Sequence, residues 1–95
     1  MSVDTVNQAL TAVRLSIAYN PDAFSPQGKE KLLFMAGSMR YYLMREDISG
    51  FDQYVDNALG SEPDAMSFLL DELFTTLGFP EGVREQLTDK LLAKD

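Results

Sequence analysis

The chain has 95 residues, a formal net charge of −7, no cysteine and no histidine. Its length holds one domain with one core, and its hydrophobic fraction of 45% is that of a globular chain rather than a disordered one. Without cysteine there is no disulfide, thiolate metal site or thiol nucleophile, and without histidine the usual general base and zinc ligand are missing as well.

Val3, Val6, Leu10, Val13 and Ile17 recur at a 3-4-3-4 spacing, which predicts an amphipathic first helix capped by Ser2 or Asp4 and stopped at Asn20-Pro21. Residues 20–28 read as a loop by their Pro, Asn and Gly content, with Phe24 tucked beneath it. Ser25-Pro26 then opens a second helix, Ser at the N-cap and Pro at the first helical position.

That helix, expected over 26–46, is the centre of the chain. Ten of the thirteen residues from Leu32 to Met44 are apolar or aromatic, and Arg40 is the one charge among them. Leu32, Met35, Ala36, Met39, Tyr42 and Leu43 make one dense face, while Leu33, Phe34, Tyr41 and Met44 lie mostly on the other side. A helix apolar on nearly all sides is expected to be buried on nearly all sides. Gly37 within it predicts a close backbone approach by a neighbouring helix.

Two later starts, Ser49-Gly-Phe-Asp52 and Ser61-Glu-Pro-Asp64, place an acid three residues after a serine, as in a capping box. Phe51, Tyr54, Val55, Ala58 and Leu59 give a short third helix ended by Gly60. Met66, Leu69, Leu70, Leu73 and Leu77 give a fourth ended by Gly78, and Pro80 opens a fifth whose apolar face is Val83, Leu87 and Leu91. Residues 50–59 align without gaps on 82–91, an echo that any two amphipathic helices would match nearly as well. No segment alternates as a strand does. The expected fold is all-α, a single-domain bundle of about five helices over 1–95 with two helical hairpins, helices two and three and helices four and five.

The longest apolar run, Leu32–Ala36, is far too short to span a bilayer, and the start lacks a basic and an apolar signal region. The expectation is a cytoplasmic protein with no membrane contact. Charge is uneven along the chain. Residues 1–45 hold five basic and three acidic side chains, whereas 46–83 hold nine acidic and no basic ones. Such a field disfavours phosphate and favours basic partners, so no direct nucleic-acid binding is expected.

Chemistry finds little support. Asp47, Asp52 and Asp56 could gather oxygens near one turn, but the calcium-loop pattern is absent. Asp71 and Glu72 are adjacent and diverge on a helix. No phosphate loop or nucleophile elbow is present. Neither a catalytic residue, a metal nor a cofactor is expected. The sequence points instead to a non-enzymatic helical protein–protein interaction module, an adaptor, inhibitor or chaperone-like subunit that recognises a basic or amphipathic protein partner. Its acidic contacts would be Glu46, Asp47, Asp52, Asp56, Asp64, Asp71 and Glu72. Leu33, Phe34, Tyr41 and Met44 would supply apolar contacts to that partner or to a second copy in a homodimer. The alternative is an acidic nucleic-acid mimic of the phage counter-defence type, whose carboxylates stand in for phosphates and block a DNA- or RNA-binding protein.

Overall fold

The computed structural model describes residues 2–20 and 24–78. They form four helices and no strand: α1 (Val3–Ala18), α2 (Pro26–Met44), α3 (Ile48–Ser61) and α4 (Pro63–Leu77). The expected fifth helix, and with it the second hairpin, lies outside the described residues.

The N-caps of the first two helices are those the residue types dictate. The Ser2 hydroxyl accepts from the Thr5 N–H at 3.1 Å, and the Ser25 hydroxyl accepts from the Gly28 N–H at 3.0 Å with Pro26 following it. Phe24 is half-buried and meets Phe68 of α4 edge-on at 5.4 Å. At the far end of α4, Gly78 takes the left-handed conformation, φ 77°, that ends a helix at no steric cost.

The two turns in between differ from expectation. α2 stops at Met44, two residues early, in a Schellman turn: Glu46 N–H donates to Leu43 O at 3.0 Å, and Asp47 N–H to Tyr42 O at 2.9 Å. This geometry demands a left-handed residue, and Glu46 supplies it at φ 56° although it is not glycine. The turn also delivers Asp47 to the start of α3, where its carboxylate accepts from the Gly50 N–H at 2.9 Å. Asp47 is therefore the cap, and Ser49 lies inside the helix. α3 likewise runs past Gly60 to Ser61, whose hydroxyl donates back to Asn57 O at 3.1 Å instead of capping α4. The break comes from Pro63, which forces Glu62 out of the helical region, to φ −136° and ψ 63°.

The helices alternate in direction. The start of α1 lies beside the end of α2, Lys31 near the start of α2 pairs with Glu62 after α3 at 3.0 Å, and Phe68 of α4 reaches the end of α1. Each helix packs on its neighbours in the ring α1–α2–α3–α4, and α2 and α4 also touch across the middle. α2 therefore shares the centre with α4, which buries Met66, Leu69, Leu70, Leu73 and Phe74. The core is wholly apolar among the described residues. Each leucine fully withdrawn from water contributes about 1.5–3 kcal/mol, so Leu10, Leu43, Leu69 and Leu73 are principal sources of stability.

Candidate functional site

The dense face of α2 is core, as its spacing requires: Leu32, Met35, Ala36, Met39 and Leu43 are buried, with Tyr42 half-buried against them. Its other face is not buried, contrary to what the composition of the helix suggests. Phe34 is 74% exposed, Tyr41 55% and Met44 62%, while Leu33 is half-buried. The physical reason is geometric. In this ring α2 packs on α1, α3 and α4 with one broad face, which leaves an outward stripe that no described helix covers.

The stripe has a defined relief. Gly37 and Ser38 form the floor of a groove between α2 and α3, with Leu33, Phe34 and Tyr41 along it and Tyr54 on the α3 side. Among the described residues a Cβ placed on Gly37 would meet nothing within 4 Å, so no described helix approaches it closely. The expected close contact at Gly37 is not made by any described helix. The Ser38 hydroxyl donates to Phe34 O at 3.1 Å, which leaves no unsatisfied donor on the floor. Tyr42 links the stripe to α3 by aromatic contacts, 5.5 Å to Tyr41 and 5.8 Å to Tyr54. The Arg45 guanidinium lies over the Tyr41 ring, 5.3 Å from its centroid.

The acidic residues sit on the α3–α4 side and at both of its ends. Glu46 and Asp47 lie on the α2–α3 turn, Asp52 and Asp56 on α3, Asp64 in the first turn of α4, and Asp71 and Glu72 further along it. All are exposed except Asp52, which is half-buried. No Lys or Arg occurs from residue 46 to residue 78. Asp47 also serves as the α3 cap, and Glu62, between α3 and α4, pairs with Lys31. Among the described residues no three acidic side chains converge as a metal site would require, and no helix is long and apolar enough to cross a membrane.

The geometry gives three residues outside the expected contact set a place in the site. Gly37, Ser38 and Tyr54 shape the groove, and the mid-helix Gly-Ser pair is the one sequence signal of it. Leu15 and Tyr19 are also strongly exposed, on and just after α1, apart from the candidate surfaces. No protein-family model, curated protein or solved structure matches this chain.

Proposed function

We propose that this protein is a non-enzymatic helical interaction module, an adaptor, inhibitor or chaperone-like subunit, that recognises a basic or amphipathic protein partner. The observation that carries the reading is the pairing of two surfaces on one small fold. An exposed apolar stripe on α2 adjoins an α3–α4 wall of acids with no basic residue among them. Aromatic and methionine side chains held in water cost solubility and are typical of recognition surfaces. A one-signed wall raises the encounter rate with a basic surface and rejects an acidic one.

Division of labour follows from magnitudes. An exposed ion pair is worth about 0.2–1 kcal/mol, so the acids act together as a steering field. A buried aromatic anchor truncated to alanine costs about 2 kcal/mol or more, so the apolar stripe suits one close-packed occupant, while the wall as a whole holds the basic partner. The test is capture from lysate of the source cells, with wild-type protein and with a variant carrying Asp56→Asn, Asp64→Asn, Asp71→Asn and Glu72→Gln. Both are run at ~50 and ~500 mM salt, which spans the onset of screening. The expected result is a basic partner that wild type holds at low salt, releases at high salt, and that the folded variant fails to hold. Displacement of that partner by duplex DNA would instead favour the nucleic-acid mimic. Capture indifferent to both salt and neutralisation would make the wall a solvated face and overturn the reading.

A further inference from the structure

We infer that the occupant of the outer α2 face is a second copy of this chain, packed with its α2 antiparallel about a two-fold axis beside Gly37 and Ser38. The inference rests on the reading of the protein as a binding module and names one of its partners.

Glu30, Phe34, Gly37, Ser38, Tyr41 and Arg45 fall on one arc of the helix at 100° per residue, and none of them is buried. Read outward from the Gly37–Ser38 bond, this arc is complementary to its own reverse. Phe34 and Tyr41 stand equally far on either side, about 5 Å along the axis at 1.5 Å per residue. Glu30 and Arg45 stand equally far beyond them, at about 11 Å. An antiparallel copy therefore sets Phe34 against Tyr41 and Glu30 against Arg45, each pairing made twice. Leu33 and Met44 share one flank of the arc, about 20° apart, and meet each other across the axis.

Three further observations favour this partner. Gly37 lacks a side chain, and no described residue lies within 4 Å of where one would begin, so a second helix can approach at the short end of the usual ~8–10 Å. The Ser38 hydroxyl already bonds to Phe34 O, so covering it strands no donor. Finally, among the described residues the strongly exposed large hydrophobics lie on α1, its cap and α2, and none on α3 or α4. The acidic wall of another copy thus has no such apolar surface to offer the stripe, whereas α2 does.

Orientation and closure follow from charge and symmetry. A parallel pairing would set Glu30 against Glu30 and Arg45 against Arg45, which repel, so the antiparallel register is selected. The same patch serves both copies, so association stops at two. Both acidic walls remain outside the interface.

The test is sedimentation equilibrium over a concentration series with a charge-swap set. Wild type is expected to reach twice the 10.6 kDa monomer mass. Glu30→Arg and Arg45→Glu should each weaken dimerisation at least tenfold, and the double variant should regain most of it. Gly37→Cys, in a chain with no other cysteine, should oxidise to a disulfide-linked dimer, while Asp71→Cys should not. A wild type that stays monomeric to millimolar concentration overturns the inference, as does a dimer indifferent to both single swaps. Monomeric protein whose partner capture still depends on the acidic wall would remove the dimer alone and leave the interaction module standing.

Discussion

Glu46 is the residue where local rule and tertiary demand conflict most clearly. The α2–α3 turn needs a left-handed residue, and a side chain there costs on the order of 1 kcal/mol relative to glycine. Glu46→Gly is therefore expected to raise the unfolding free energy by about 0.5–1 kcal/mol, read from urea midpoints at unchanged slope. Gly37 is the converse case, a glycine in a helix interior whose position nothing among the described residues requires. Gly37→Ala should stabilise by about 0.5–1 kcal/mol in the same assay. Gly50 differs from both, because a Cβ there would collide with the Asp47 carboxylate and lie 2.9 Å from Tyr42 Cδ1. At this scale Ser2, Ser25 and Gly78 were legible, since each acts through its own chain neighbours. Asp47 was not. It caps α3 only because a left-handed Glu46 redirects the chain, and nothing in a Met-Arg-Glu-Asp string announces that.

At the scale of the element, periodicity separated the two faces of α2 correctly, and packing decided what each face does. Leu32, Met39 and Leu43 touch the core, so truncation of any one to alanine should cost about 2–5 kcal/mol, measured by chemical denaturation. The step from apolar on all sides to buried on all sides failed for a physical reason. Burial depends on how many helices surround an element, and a ring of four leaves each member an outward face. The apolar part of the candidate surface could therefore be read from the spacing of Phe34, Tyr41 and Met44. Its groove could not, because Tyr54 joins it only through the packing of α3 on α2. The end of α3 carries the same lesson: glycine permits a break, but Pro63 compels one.

For the whole molecule, the governing feature is charge divided by element. α2 and its cap carry Lys29, Lys31, Arg40 and Arg45 against Glu30, while residues 46–78 carry acids only. Self-repulsion along the α3–α4 side opposes folding and is screened by salt over about 10 Å at 0.1 M. Thermal stability is thus expected to rise between ~20 and ~200 mM sodium chloride, followed by circular dichroism at 222 nm. A flat or falling midpoint would mean that the acids do not burden the fold.

A binding role for the outer α2 face requires that Phe34, Tyr41 and Met44 belong to the surface and not to the core. Its most direct test is the unfolding free energy of Tyr41→Glu, measured in urea at a concentration low enough to keep the chain monomeric. With Tyr41 55% exposed, the change loses ring contacts to Tyr42 and Arg45 and should cost no more than about 1 kcal/mol, with the slope unchanged. A loss of about 3 kcal/mol or more would place Tyr41 in the core and contradict the assignment of this face to binding.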